Sequence, residues 1–305
     1  LSLPDDLKPG EWRWLSAVEL MTNRERFIKA LKREPIEGLV PTFELVFYLT
    51  MEAIGKVHPS QRIFSQWDQM SAKEKDAQFS DMADTYILTA EKYSHSAIFV
   101  HPNPGDFDNT LRILERIREK TGDEYFLMMH GDPTFSIPDG HRMMDFTARM
   151  YEKPDELKNS AENRLSLSIE FAEKMSAYSG LLDGFALCSD YCFNVNPFFS
   201  PAMFAEFIVP YLARVIDAYR SMGYYTIKHT DGNIMPIADQ MVDCKPDAIH
   251  SLDPQGGVSL AEMRRLYSDK VALIGNVNCG LLQTGSDEEC RADVLRSLRE
   301  GMAGY

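Results

Sequence analysis

The chain has 305 residues, with 32 lysines and arginines against 46 aspartates and glutamates, for a net charge of −14. That acidity leaves no electrostatic footprint for nucleic acid or an anionic membrane, and an apolar content of 44% excludes global disorder. No stretch approaches the ~18 uninterrupted apolar residues of a membrane-spanning helix, the opening Leu1-Ser2-Leu3-Pro4 lacks the layout of a signal peptide, and Cys188, Cys192, Cys244, Cys279 and Cys290 are too scattered for a disulfide framework and fit a reducing cytoplasm.

Thr22-Asn23-Arg24-Glu25 is a capping box that opens a helix with Phe27, Ile28 and Leu31 at helical spacing. Residues 40–47 read as a buried strand beginning beside Pro41. A second box, Ser71 to Glu74, opens a long helix to about Ser94. Residues 97–100 are a strand, 106–120 a helix, and 125–129 a strand. A helical region follows over 140–178, broken at Lys153-Pro154. Residues 184–188 are the fourth strand, and Ser200-Pro201 caps a helix to about Met222. Strands at 225–228, 248–252 and 271–274 alternate with helices at 233–242, after Ser259, and after Ser286.

Short continuous apolar strands alternating with helices predict a parallel sheet covered by helices. The choice is between a (β/α)8 TIM barrel and a doubly wound sheet. The latter usually carries a glycine-rich phosphate turn, and neither GxGxxG nor GxxxxGK[ST] occurs. The expected organisation is an N-terminal helical segment, 1–37, and a barrel, 38–305. Seven strands are one short of a barrel, so the eighth β/α unit is expected past Tyr305.

Barrel chemistry gathers at strand C-termini. Those ends carry Glu44 and Tyr48; His101; His130 and Asp132; Asp190 and Tyr191; His229 and Asp231; His250; and Asn276 with Cys279. Asp253 and Asn278 are read as caps of the helices that follow, and His250 as a hydrogen-bonded core histidine. His58, His95 and His141 lie off the strand ends and are read as ordinary. His229-x-Asp231 is the sharpest pair, because alternate residues of an extended segment face one side. Imidazole and carboxylate suit zinc or an acid/base couple. A catalytic zinc needs three protein ligands, and Glu44, Asp190 or Cys279 could each supply the third.

Several stretches together resemble the uroporphyrinogen decarboxylase superfamily: Met21-Thr22-Asn23-Arg24-Glu25-Arg26-Phe27 with the run to Val40-Pro41, Phe198-Phe199-Ser200-Pro201-Ala202-Met203-Phe204, His229-Thr230-Asp231-Gly232-Asn233, and Gly275-Asn276-Val277-Asn278. The resemblance covers residues 20–305 and implies a TIM-type barrel that dimerises. It admits two chemistries: cofactor-free decarboxylation of a tetrapyrrole, and methyl transfer to or from a corrinoid protein, often with zinc. The decarboxylases carry paired arginines near the end of strand one, where this chain has Pro41-Thr42-Phe43-Glu44-Leu45-Val46-Phe47-Tyr48. The thiol-methylating zinc enzymes have His-x-Cys where this chain has His229-x-Asp231. An oxygen ligand in place of thiolate suits oxygen or amine donors.

The resemblance therefore implies a cytoplasmic methyltransferase that moves a methyl group between a small molecule, such as an aryl methyl ether, and a corrinoid carried by a partner protein. Zinc would be held by His229 with Asp231 or Glu44. Asp190, Tyr191, His229 and Asp231 would be catalytic. Glu44, Tyr48, His101, His130, Asp132 and Asn276 would line the substrate pocket, with Phe43, Phe47, Phe135 and Phe193 supplying apolar wall. The alternatives are a decarboxylase and a non-catalytic corrinoid- or tetrapyrrole-binding barrel.

Overall fold

A computed structural model describes residues 21–46 and 48–302. Helices α1 (Asn23–Leu31), α2 (Tyr48–Glu52) and α3 (Ala72–Tyr93) precede strand β1 (Ala97–Val100). Then follow α4 (Phe107–Thr121), β2 (Phe126–His130), α5 (Gly140–Glu152), α6 (Pro154–Ser176), β3 (Gly184–Cys188), α7 (Pro201–Phe207), α8 (Val209–Ser221) and β4 (Tyr225–His229). The chain continues through α9 (Ala238–Asp243), β5 (Ala248–His250), α10 (Leu260–Tyr267), β6 (Ala272–Ile274), α11 (Cys279–Thr284) and α12 (Asp287–Gly301).

The six strands form one parallel sheet in sequence order. Alternation along each strand separates two cores. Ala97, Phe99, Phe126, Met128, Ala186, Ile227, Ala248 and Ala272 point inward to a cluster shared with Phe27 and Leu31 of α1. Their neighbours Ile98, Leu127, Phe185, Leu187 and Ile249 face the helical layer. The inner cluster shows that the sheet curls. β1 and β5 would stand about 19 Å apart in a flat sheet. Yet Phe43, beside β1, lies 5.7 Å from the Phe27 ring and 5.4 Å from the His250 ring on β5.

Helix α1 closes the lower, N-terminal end of this curl. Phe27 packs on Phe126 at 4.7 Å, and Arg24 donates through its backbone to Glu124 O at 2.8 Å. The Arg24 and Arg118 guanidinium groups meet on Asp183, both at 2.7 Å. The segment predicted as N-terminal to the barrel thus shares its inner core from residue 23 on.

Two expectations are corrected. Residues 40–46 form no strand, and Phe47 and residues 1–20 lie outside the described residues. Pro41 has no N–H to offer a ladder. The segment meets the sheet through Ser96 N donating to Thr42 O at 2.7 Å. The helix expected from 200 to 222 is two helices, because Pro210 cannot donate to a carbonyl one turn back and the chain bends at Ile208 (φ −117°). Capping was legible elsewhere: Thr22 and Ser71 form the expected reciprocal boxes and the Ser286 cap is one as well, whereas Ser259, which likewise opens an S-x-x-E box in the sequence, accepts from Glu262 N without the return bond.

Candidate functional site

The register pairs Cys188 with His229 and His229 with His250 at the upper end of the sheet. These inward residues sit in one row, about 4.8 Å between strands. The β4 chain then turns sharply through Asp231 and Gly232. Gly232 takes φ +79°, and a Cβ there would fall 2.4 Å from Phe193 O, so this turn requires glycine.

The turn gathers three donors. One ligand atom each from Asp190, His229 and Asp231 lies within 4.8 Å of the others. His229 Nε2 is 3.8 Å from Asp190 Oδ1 and 3.9 Å from Asp231 Oδ1. The imidazole is 11% exposed, whereas the two carboxylates are 50% and 61% exposed. The cluster therefore has a closed floor and an open top. Its members are individually braced. Asp231 N donates to Asp190 Oδ1 at 3.2 Å, Ser251 Oγ to Asp231 Oδ1 at 2.7 Å, and Asp190 N to Ser136 Oγ at 3.0 Å. His229 Nδ1 meets His250 Nδ1 at 2.8 Å.

Burial pushes the His229 pKa down, against the attraction of Asp231 and Asp190, so the ring is held neutral, as a metal ligand must be. Burial and the neighbouring His229 take His250 down to about 3.

This donor set fits zinc. Bonds of ~2.0–2.2 Å in a tetrahedral site place ligand atoms roughly 3.3–3.6 Å apart. The observed separations of 3.8 and 3.9 Å are a few tenths longer. One imidazole and two carboxylates leave the open position a catalytic zinc needs. They also balance a dication, as neither charge is matched by a lysine or arginine hydrogen bond within the cluster.

Glu44 is elsewhere. Its carboxylate accepts from Thr50 Oγ1 at 2.7 Å and lies 3.9 Å from His95 Nε2; burial raises its pKa against the Thr50 bond. It does not join the His229 cluster. Cys279 begins α11 near the mouth, but burial, with Asp231 and Asp253, raises its thiol pKa. Cys188 is pushed up to about 12 by burial, so it stays a thiol.

Other expected residues divide between mouth and fold. His101 lies at the end of β1, edge-on to Phe99 and 5.0 Å from the His58 ring. Its Nδ1 is buried without a hydrogen-bond partner, and burial, with His58 and His130, takes it to about 4. His58, read as ordinary, caps a turn at Ser60 and packs 5.2 Å from the Tyr48 ring. Tyr48 opens α2 and accepts from Gln61 Nε2 at 3.1 Å. His130 ends β2 at the sheet's upper rim, and desolvation of its ring lowers its pKa against the attraction of Asp132.

Asp132, Tyr191 and Asn276 are instead consumed by the fold. Asp132 is buried on Lys228 Nζ at 2.7 Å. It also accepts from Thr134 N, Thr134 Oγ1 and Ser189 N. Tyr191 is fully buried, its hydroxyl 2.6 Å from Thr134 Oγ1 and its ring under Lys228 Nζ. Asn276 is 1% exposed. Its amide donates to Leu252 O at 2.7 Å and accepts from Arg296 Nη1 at 2.9 Å. All three are buried and hydrogen-bonded within the fold. Asp253 and Asn278 cap as expected, accepting from Gln255 N and from Gly280 and Leu281 N.

The sequence reading missed Lys228 and the direct His229–His250 bond. Lys228 carried a signal, a lysine in a strand that otherwise lacks Lys, Arg, Asp and Glu. Ser251 was legible only as a residue at a strand end beside His250, with no sign of its bond to Asp231.

No curated protein matches the chain. Its structure is similar to that of a methyltransferase from Methanosarcina mazei, with a TM-score of 0.68 and 18% sequence identity over 93% of this chain and 91% of that one. At that identity the likeness is one of fold, and it matches the parallel sheet curled around an inner core. Residues 139–305, more than half of the chain and including the whole His229 cluster, match the uroporphyrinogen decarboxylase (URO-D) family, so the chain belongs to that family.

Proposed function

We propose that this chain is a methyltransferase of the URO-D family that moves a methyl group between a small-molecule donor and a corrinoid carried by a partner protein in the cytoplasm. The observation that carries the reading is the Asp190–His229–Asp231 donor set at the open end of the curled sheet. The fold likeness to a methyltransferase supports it. His229, Asp190 and Asp231 would hold zinc. Bound there, zinc would supply Lewis-acid polarisation of the donor heteroatom, which eases departure of its methyl group.

The chain's own residues do the rest. The half-exposed carboxylates lie at the rim, so the donor approaches from the mouth. Phe43 packs against His250, and Tyr48, His58 and His101 pack on one another beside the end of β1; this aromatic supply suits an apolar or aryl donor. Burial keeps His58 and His101 at about 4, so this wall is uncharged at neutral pH and polar only through its N–H groups and lone pairs.

Tetrapyrrole decarboxylation fits less well. A polycarboxylate needs unpaired arginines, but Arg62 is bound to Asp81 and Thr85 and Arg164 to Thr134 O. Asp190 and Asp231 would repel it.

The test combines metal analysis with corrinoid spectroscopy. We expect about one zinc per chain, lost in His229→Ala, and conversion of Co(I) to methyl-Co(III) corrinoid with a methyl donor from an ether and amine panel. A metal-free protein that releases CO₂ from uroporphyrinogen overturns the proposal.

A further inference from the structure

The row that places His229 beside His250 brings two like atoms together, Nδ1 to Nδ1 at 2.8 Å. A contact this short holds one proton. Two lone pairs would repel, and two N–H groups would collide. Each neutral imidazole carries a single N–H, so the tautomer of one ring dictates that of the other. When His250 donates, His229 carries its own proton on Nε2, directed toward Asp190 and Asp231. When His229 donates, its Nε2 is a bare lone pair facing those carboxylates, and His250 carries its proton on Nε2.

The surroundings choose between these arrangements. A bare lone pair 3.8 and 3.9 Å from two carboxylate oxygens is repelled, so without a cation the proton belongs on His229 Nε2. A cation at that position needs the lone pair and selects the opposite arrangement. Phe43, tilted against His250 at 5.4 Å, fixes the plane of that ring and offers no competing hydrogen bond.

We propose that His250 is a positioning residue for His229 and that the two rings exchange tautomers together when a divalent cation binds at His229 Nε2. The inference rests on the zinc reading above for its second half only; the one-proton pairing stands without it. The exchange balances. The proton on His229 Nε2 leaves to water, the shared proton passes from His250 Nδ1 to His229 Nδ1, and His250 Nε2 takes one proton from water. The pair holds two protons before and after, so the rings accept the cation without a change in their own charge. The arrangement does what a carboxylate behind a metal-bound histidine does elsewhere, which is to fix ring orientation and tautomer. Here a neutral ring does so, and the two carboxylates remain free for the cation.

The test uses the full chain labelled with ¹⁵N-histidine, in long-range ¹H–¹⁵N spectra at neutral pH, with signals assigned by their loss in His229→Gln and His250→Gln. Metal-free protein should show His229 protonated on Nε2 and His250 on Nδ1, and added zinc should invert both. In the metal-free protein, both rings protonated on Nε2 would overturn the pairing, and His229 on Nδ1 with His250 on Nε2 would overturn the exchange. Zinc affinity by calorimetry gives a second readout. His250→Phe should weaken it by about 10–100-fold, and His250→Gln, which can still hydrogen-bond to Nδ1, should recover most of that. Equal losses in the two variants would reduce His250 to packing and overturn the positioning role. Wild-type protein that binds no zinc overturns the metal reading and the exchange, while the metal-free spectra still decide the pairing.

Discussion

Lys228 and His229 are consecutive residues of β4 that face opposite sides of the sheet, and each meets carboxylates. On the outer side every donor and acceptor is used. Lys228 Nζ donates to Asp132 Oδ2, Leu187 O and Ser189 O at 2.7, 3.0 and 2.9 Å, and both partners are wholly buried. On the inner side His229 Nε2 stops 3.8 Å short of its nearest carboxylate, and both carboxylates face solvent. A closed ion pair is a structural part, because no ligand can enter without breaking bonds already made. An under-filled cluster of the same groups has room for a cation. Charge and residue type do not tell these cases apart; the number of unmet hydrogen-bonding positions does.

The largest effect should come from breaking the closed side. Lys228→Met leaves Asp132 as a buried, unpaired carboxylate, and such losses cost about 3–5 kcal/mol. Urea unfolding should show that drop, and Lys228→Met combined with Asp132→Leu should recover a large part of it. A single variant as stable as wild type would mean that the outer pair is not closed as described.

That pair also shows where sequence reasoning stops. Helix starts were legible because capping is local: the Thr22, Ser71 and Ser286 boxes each lie within four residues. The strands were legible as continuous apolar runs, except at 40–46, where a similar run forms no ladder because pairing is a property of the neighbour. Asp132, Tyr191 and Asn276 were expected at the mouth because they follow strand ends. Strand alternation no longer governs direction beyond those ends, and Asp132 finds its partner 96 residues away. His229 and Asp231 were legible as a pair from spacing, and Asp190 was one of three open choices for a third donor until the fold brought it to them.

Acid separates the two sides by pH. Burial takes His58 down to about 4, with Arg62 adding to it, and His250 down to about 3. A histidine with a lowered folded pKa protonates first in the unfolded chain, so its contribution is complete above about pH 6.5 and is lost as pH falls toward the folded value. For buried His58 this is on the order of 3 kcal/mol. On the outer side burial would raise Asp132, but the Lys228 charge and the hydrogen bonds outweigh it and hold it at about 2. Its contribution is present above its ordinary pKa of about 3.9 and is lost below that. Unfolding free energy measured against pH should therefore climb from about 4 to 6.5 and then level. His58→Phe should flatten part of that climb and leave the limb below pH 4 in place. A climb unchanged in His58→Phe would show that the mouth histidine is not held neutral.

The smallest effect probes how finely the open side is set. Ser251 Oγ donates to Asp231 Oδ1 at 2.7 Å, and Asp231 is largely exposed. The bond therefore has little to do with folding and much to do with where the carboxylate points. Ser251→Ala should leave urea stability within about 0.5 kcal/mol of wild type. It should weaken zinc binding by roughly fivefold, the value of one hydrogen bond of about 1 kcal/mol. Asp231→Asn removes the charge as well and should cost more, about tenfold or beyond. If Ser251→Ala costs stability and leaves zinc binding untouched, the Asp231 carboxylate belongs with the closed pair on the far side of β4, and the difference between the two sides is lost.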